Sequence, residues 1–543
     1  MTSELFQDNY EAKCAYQILK SMNRPVFLTG RAGTGKSTFI EWAKTITKKC
    51  LVLAPTAVAA RHIGGRTIHS VFKLPPRLIY REDHEFFSYL NYSNRYIETM
   101  RLYELIIIDE VSMVNSSVMY CVDEIFQRIC ENDLPFGGKK LLLVGDPFQM
   151  PPVIKPQSDR KKLKASFGGE YFFDSELFKK ADPFKIELKE VYRQKDIDFC
   201  KILDKIRLGD DLEEALAILN EKCLIKNARG LARQLEDGVH LAFSNLTAQS
   251  INSEFLAKLP EKEQKFDAGL TGDFDIKSCL ADKTLIVKIG ATVMCIKNHS
   301  GGKYVNGTIG TIKTIENEII TIEDNDGRLI KIERAIWTNE EVYFKKTRTG
   351  WDPQTRVTGT CSQYPIKLGW ALTIHKSQGL TFQKIFLENW ENVSENSLIY
   401  VALSRCTTLQ GVKFVKRINQ WDIRIDERIE EFYSKLTSRE TLGIIMTEIH
   451  YENILELLPL KFGGDEIERV ITQNKSQFFD YSFEEVIKGM LDNNLIFEEE
   501  PNFYRKNIQD KAETPKEVDE SKLNKLHINF MRSKKKTFKK RTT

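Results

Sequence analysis

Gly30-Arg31-Ala32-Gly33-Thr34-Gly35-Lys36-Ser37 decides the fold. Pro25 to Leu28 precedes it as a short apolar run, the length of a buried strand. Phe39, Ile40, Trp42 and Ala43 follow at helical spacing. A G-x-x-x-x-G-K-S loop between a strand and a helix is a phosphate cradle. Its glycines let the backbone curl so that several N–H groups converge on one phosphate chain. The helix N-terminus adds partial positive charge. Gly30, Gly33, Thr34, Gly35, Lys36, Ser37 and Thr38 are the candidate nucleotide-binding residues. Lys36 is placed to reach the β- and γ-phosphates of ATP, and Ser37 to ligate Mg²⁺.

Working outward, the apolar runs Cys50–Ala54, Leu105–Ile108 and Leu141–Val144 each end on polar residues: Pro55-Thr56, Asp109-Glu110, and Gly145-Asp146 leading to Gln149. Buried runs with polar C-terminal ends, alternating with helical segments, predict a parallel α/β sheet with its site on that edge. Asp109 is suited to hold Mg²⁺ through water, and Glu110 to orient or deprotonate the attacking water. Gln149 can sense the γ-phosphate. Arg193 and Arg405 sit in apolar company and are candidate arginine fingers. Thr373-Ile374-His375-Lys376-Ser377-Gln378-Gly379 is a donor-rich loop suited to phosphates of a nucleotide or a nucleic-acid backbone.

The chain of 543 residues exceeds one core and predicts three to four domains. Net charge is only +4, so any nucleic-acid footprint must be local. The ten cysteines form no C-x-x-C, which argues against zinc ribbons and redox dithiols. No apolar run approaches the roughly 20 residues of a membrane span. The acidic N-terminus, with Glu4, Asp8 and Glu11, lacks the pattern of a targeting peptide. A cytoplasmic location is expected: bacterial cytoplasm and nucleoid, or the nucleus in a eukaryote.

Residues 73–99 are an aromatic-rich excursion after Pro75-Pro76. From 189 to about 252 the pattern is mostly helical. From 284 to 337 short strands are separated by Asn306-Gly307 and Asn325-Asp326-Gly327, which is hairpin chemistry and predicts a small β-barrel. Ser482-x-x-Glu485 is a capping box ahead of an apolar helix face, Phe483 to Leu491. Strands at 495–497 and 503–505 follow. This pattern fits the end of a winged helix, or equally a helical cap with a tail. Residues 509–543 are polar, end in a lysine-rich cluster and read as a disordered basic tail.

Taken together and in this order, the elements resemble a Pif-type superfamily 1 DNA helicase, related to RecD. They are Gly30–Ser37, Ala54–Ala57, Thr67–Ser70, Ile107–Met113, Gly145–Pro152, Leu188–Gln194, Ala371–Gly379 and Tyr400–Arg405, with Leu134-Pro135-Phe136-Gly137-Gly138 ending a segment particular to the group. The resemblance spans about residues 1–435. It implies an ATP- and Mg²⁺-dependent helicase moving 5′ to 3′ on single-stranded DNA and opening tailed duplexes, in repair, recombination, replication or telomere maintenance. It implies two RecA-like motor domains, 1–185 and 186–283 with 362–436. Residues 73–99 would be a strand-separating wedge and 284–361 the inserted barrel. A C-terminal module at 445–508 and a tail at 509–543 complete the chain.

By the same resemblance Lys36, Glu110, Gln149, Arg193 and Arg405 are catalytic, and Ser37 and Asp109 hold the metal. Gln378 and Gly379 join the nucleotide site. Pro55, Thr56, His69, Phe148, Thr373, His375 and Lys376 lie against DNA. The protein is read as a monomer with no membrane partner, and the C-terminal module as a dock for another protein. Two features depart from the group's pattern. The stretch Asn9 to Cys14 carries no glutamine, and Ser397-Leu398-Ile399 stands where Gly-Gln is usual. A nucleotide-gated clamp that remodels without unwinding would share the phosphate loop; the aromatic excursion favours unwinding. The paired arginines and the His375 loop disfavour a small-molecule kinase.

Overall fold

The computed structural model describes residues 6, 9–75, 77–83, 86–87, 92–154, 157–192, 196–225, 238–274, 281–299, 301–324, 326–347, 350–388, 390, 397–458, 461–473, 483–493, 495–500 and 503–506. They divide into two units. The smaller holds described residues of Met1–Val26, Pro183–Glu187 and Leu436–Thr543; the larger holds Phe27–Asp182 and Leu188–Lys435.

The larger unit contains two lobes, each built on a parallel sheet. In the first, strands run in the order Arg66–Thr67, Cys50–Ala54, Leu105–Ile108, Lys140–Val144, Val26–Thr29. Cys50 pairs with Leu105, and Leu105 with Lys140, in parallel register. Leu105–Ile108 is buried at every position, which is why the sequence shows no alternation there. Helix Ser116–Cys130 packs over this sheet through Met119, Val122 and Phe126. In the second lobe the order is Ala371–Thr373, Val239–Ala242, Ile385–Leu387, Val412–Phe414, all parallel. Helices Ile197–Leu208, Leu212–Cys223 and the start of Asn245–Lys258 make the stretch mostly helical as expected, and Val239–Ala242 is a strand within it that the sequence did not show. It is only four residues long and carries His240, whose Nδ1 lies 2.7 Å from Glu388 Oε1.

Helix Glu427–Ser434 also departs from expectation. The sequence assigns it to the second lobe, yet Ile429 and Phe432 enter the core of the first. Phe432 stacks on Phe173 at 4.2 Å and meets Phe27 edge-on at 5.2 Å. Ile429, Phe432 and Tyr433 share one face of this helix, so burial of that face fixes where the chain returns.

Between the two halves of the second lobe lies a five-stranded antiparallel sheet, ordered Leu329–Ile332, Ile319–Asp324, Ile309–Glu316, Thr292–Cys295, Ile366–Leu368. Its tightest hairpin turns on Asn317 and Glu318, with φ of 50° and 60°. The single barrel expected over 284–361 is not the whole of it. Ala335–Thr347 and Gly350–Gln363 form a long hairpin that pairs with Gly269–Gly272 in a separate three-stranded sheet.

The aromatic excursion is anchored to the first lobe rather than cored on its own. Ile79 and Phe87 belong to the lobe's hydrophobic cluster. Tyr92 and Tyr96 stack at 4.5 Å, and their hydroxyls donate to the carbonyls of Phe72 and Val71, each at 2.7 Å.

In the smaller unit, helix Arg439–Leu457 serves two neighbours. Near its start Arg439 lies over the Tyr10 ring at 4.8 Å, beside helix Tyr10–Ser21. Towards its end Tyr451 and Ile454 join Ile467, Val486, Met490, Ile496 and Tyr504 in one cluster. Strands Lys461–Gly463, Phe503–Lys506 and Ile496–Glu500 lie in that order. Helix Phe483–Asp492 and the last two strands fall where the sequence places them; the first of the three strands was not anticipated. Residues 507–543, and with them the basic tail, lie outside the described residues.

Candidate active site

The phosphate loop leaves strand Val26–Thr29 and enters helix Lys36–Ala43. Gly30 sits at φ 149°, and a Cβ there would come within 2.6 Å of Thr34 Oγ1 and 2.7 Å of the Leu188 carbonyl. Only glycine fits. Gly33 and Gly35 are left-handed at φ 86° and 84°. Lys36 Nζ donates to the carbonyls of Gly30 at 2.6 Å and Arg31 at 3.0 Å. Ser37 and Thr38 occupy the first turn of the helix, half-buried. The segment 188–192 runs alongside: Leu188 N–H donates to Thr29 O at 2.9 Å and Tyr192 N–H to Gly33 O at 2.8 Å. Arg193 follows directly but lies outside the described residues.

Asp109 and Glu110 end strand Leu105–Ile108. Asp109 is 7% exposed, and its N–H donates to Leu53 O at 2.9 Å, which fixes the strand end. Burial, and then the charge of Glu110, push the Asp109 carboxyl above the usual carboxylate range; Lys36 and Lys44 pull it back. A carboxyl crowded by a second carboxyl and drawn on by the loop lysine is a hard-oxygen site that suits a divalent cation. Ser37 and Asp109 are the residues that would hold Mg²⁺. Among the described residues no cluster of three or more His, Cys, Asp or Glu side chains could hold a metal ion alone. Bound at Ser37 and Asp109, Mg²⁺ would neutralise charge on the phosphates.

Next along the sheet edge, Gln149 Nε2 donates to Asp146 Oδ2 at 3.2 Å. Asp146 is fully buried and is paired with Arg207, itself 3% exposed, at 3.0 Å. The Arg207 guanidinium lies over two rings that meet edge-on, 4.7 Å from Phe148 and 5.0 Å from Tyr433. Tyr400 completes the group. Its hydroxyl accepts from Ala32 N–H at 3.3 Å and donates to Asp146 Oδ2 at 3.4 Å. Arg405, on the turn after helix Leu398–Leu403, is 3% exposed and donates to Val401 O and Ser404 Oγ, each at 3.0 Å.

Asp146, Arg207 and Tyr400 were not singled out from the sequence. The available signal for Arg207 was an arginine in register with the apolar face Phe199, Ile202, Leu203 and Ile206.

The residues expected against DNA are placed unevenly. Pro55, Thr56 and His69 are half-buried near the carboxyl edge of the first sheet. Thr56 Oγ1 accepts from Ala59 N–H at 3.2 Å, capping the next helix. Burial holds the His69 imidazole below its ordinary range. His375 is half-buried and Lys376 exposed. Thr373 is 4% exposed, and its Oγ1 accepts from Lys376 N–H at 3.3 Å, so it shapes the loop. Phe148 stands apart from the others. At 2% exposure, packed beneath Arg207 and Tyr433, its ring has no face free to stack on a base. Gln378 Nε2 is buried without a hydrogen-bond partner, and a Cβ on Gly379 would come within 3.7 Å of His62 in the first lobe.

Two parallel α/β lobes, with a phosphate loop on one and helix Leu398–Leu403 from the other reaching it through Tyr400, define a two-lobed P-loop nucleotide-binding protein. Residues 7–215 match the family model of the PIF1-like helicases. A Campylobacter jejuni protein named ATP-dependent DNA helicase Pif1 is 33% identical over 443 residues, 76% of this chain and 94% of that protein. The crystal structure of Bacteroides sp Pif1 in complex with ADP-AlF4 superposes with a TM-score of 0.72 at 32% identity, covering 78% of this chain and 96% of the other. The same Bacteroides protein bound to single-stranded DNA gives a TM-score of 0.56 over the same shares of the two chains, at 32% identity. The chain belongs to the Pif1-like helicase family.

Proposed function

We infer that this chain is an ATP-dependent DNA helicase that moves 5′ to 3′ along single-stranded DNA and separates the duplex ahead of it. The observation that carries this reading is the cleft edge itself. Lys36, the Asp109-Glu110 pair and Gln149 follow the carboxyl ends of strands of one parallel sheet, and helix Leu398–Leu403 of the second lobe meets the phosphate loop through Tyr400. Lys36 binds phosphate, Glu110 takes the water's proton, and Arg193 and Arg405 stabilise charge that develops on the phosphoryl group. Ser37 and Asp109 hold Mg²⁺. Thr56, His69, His375 and Lys376 line the DNA path on the carboxyl edges of the two sheets, the usual ligand side of parallel α/β folds.

Residues 73–99 act as the wedge, a role supported by their anchorage in the first lobe. The antiparallel strands Thr292–Cys295, Ile309–Glu316, Ile319–Asp324 and Leu329–Ile332 support the reading of residues 284–361 as the inserted barrel. Helices Gly464–Gln473 and Phe483–Asp492, followed by a strand hairpin, support the winged-helix reading of the C-terminal module. That module is suited to docking a protein.

Hydrolysis of ATP measured with and without single-stranded DNA, beside unwinding of duplexes carrying a 5′ or a 3′ tail, tests this function. DNA-stimulated hydrolysis with unwinding of the 5′-tailed substrate is expected. Stimulation without unwinding of either substrate would favour a nucleotide-gated clamp.

A further inference from the structure

We propose that Tyr400 is a positioning residue that competes with the nucleotide for the phosphate loop and reports the outcome to the buried Asp146–Arg207 pair. The proposal rests on the nucleotide-binding reading above and adds a residue to it.

Tyr400 is 3% exposed, and its hydroxyl stands between two groups from the first lobe. It accepts from the N–H of Ala32, the third residue of the phosphate loop, at 3.3 Å. It faces Asp146 Oδ2 at 3.4 Å. Burial, and then the Asp146 charge, push its ionisation well above the ordinary phenol range, so it stays a neutral hydroxyl that can both donate and accept. Backbone N–H groups of such a loop are what hold phosphates. A phosphate that takes the Ala32 N–H therefore has to displace the tyrosine oxygen.

The other face of the hydroxyl makes this displacement consequential. Asp146 accepts from Arg207 through Nε at 3.2 Å and Nη2 at 3.0 Å, and from Gln149 Nε2 at 3.2 Å. Arg207 Nη1 in turn donates to Tyr433 Oη at 3.3 Å. Arg207 lies on helix Ile197–Leu208, and Tyr400 and Tyr433 lie on two further helices. One hydroxyl thus links the loop that meets phosphate to a buried ion pair tying three helices to the first sheet. Once released from Ala32, the Tyr400 hydroxyl retains Asp146 as its acceptor. Arg405 is five residues along, past the end of the helix that begins at Leu398, so movement of Tyr400 is carried towards it.

This arrangement predicts a sign that a merely structural tyrosine would not give. Tyr400→Phe removes the competitor and keeps the ring. It should bind a non-hydrolysable ATP analogue with Mg²⁺ about two- to tenfold more tightly than the wild type, the scale of one net hydrogen bond. Its kcat should fall as KM falls, because Asp146 no longer senses the loop. Titration of both full-length proteins, with thermal melting to check folding, decides it. Equal or weaker binding by folded Tyr400→Phe overturns the proposal alone. A wild-type chain that binds no analogue overturns the nucleotide reading as well.

Independently of that variant's folding, 3-fluorotyrosine placed at 400 gives a ¹⁹F resonance. The resonance should shift on addition of the analogue. A resonance that stays put while the analogue binds overturns the proposal.

Discussion

Glu110 stands in the left-handed region, φ 49° and ψ 41°, at the end of a fully buried strand. A non-glycine residue is held there only when its surroundings fix it, and such strain collects at working sites. Glu110→Gln keeps shape and hydrogen bonding but cannot accept the water's proton. DNA and ATP should still bind, and steady-state hydrolysis should fall by roughly 10²-fold or more. An unchanged kcat would move the base to another residue. Arg405 acts at the same scale by a different route. Its guanidinium is buried and held by the Val401 carbonyl and the Ser404 hydroxyl, so protein groups fix its position without a nucleotide. Arg405→Ala should lower kcat by about 10³-fold while changing ATP affinity far less, since a finger acts on transition-state charge. Comparable losses in kcat and in analogue binding would make it a ground-state ligand instead.

At the scale of elements, the turn that follows helix Ser116–Cys130 is set by close approach. Asp123 Oδ1 accepts from Phe136 N–H at 2.6 Å, and Gly137 adopts φ 62°. A Cβ on Gly137 would come within 2.7 Å of the Phe126 carbonyl and 2.9 Å of Cys130 Sγ. Gly137→Ala should cost about 1–3 kcal/mol, read as a lower denaturant midpoint at unchanged slope. A neutral result would mean that the turn yields freely. The same scale explains what the sequence revealed. Leu105–Ile108 and the Gly30–Ser37 loop were legible because burial on both faces, and a backbone that must curl, leave unmistakable residue choices. Val239–Ala242 was not, because a four-residue strand with a histidine that pairs across to Glu388 looks like any short polar-interrupted run. The long hairpin Ala335–Gln363 escaped because Lys345, Lys346 and Pro353 break its alternation. Arg207 escaped because an arginine's default place is the surface; only its register with Phe199 and Leu203 pointed inward. The burial of Phe148 was likewise hidden, because nothing in its motif shows that its ring lies against Arg207.

For the whole molecule, the C-terminal boundary matters most. The resemblance spans about residues 1–435 and the expected second motor domain ends at 436, which would make Thr437 the first residue the motor can spare. The structure moves that boundary, since helix Arg439–Leu457 lies against helix Tyr10–Ser21 through Arg439 and Tyr10, and Arg439 Nε approaches Glu11 at 3.4 Å. A chain cut after Thr437 should melt about 5 °C or more below one cut after Lys506, because the first cut uncovers the N-terminal helix. Scanning calorimetry of the two truncations checks this, and equal melting temperatures would return the boundary to 437. The chain cut after Lys506 lacks the cluster from Lys534 to Arg541. It should bind DNA more weakly at low salt, with a shallower salt slope.

The return of helix Glu427–Ser434 into the first lobe's core has a consequence for how the second lobe works. That lobe is held at both ends: the chain leaves along the phosphate loop, where Leu188 bonds Thr29, and comes back where Phe432 stacks on Phe173. Arg405 therefore never meets the cleft as a free partner would. It meets it at an effective concentration set by two short tethers, of order millimolar or above. The two hydrogen bonds longer than 3.2 Å at Tyr400 thus add to a buried Arg207–Asp146 pair between parts of the chain that the tethers already keep within reach of one another.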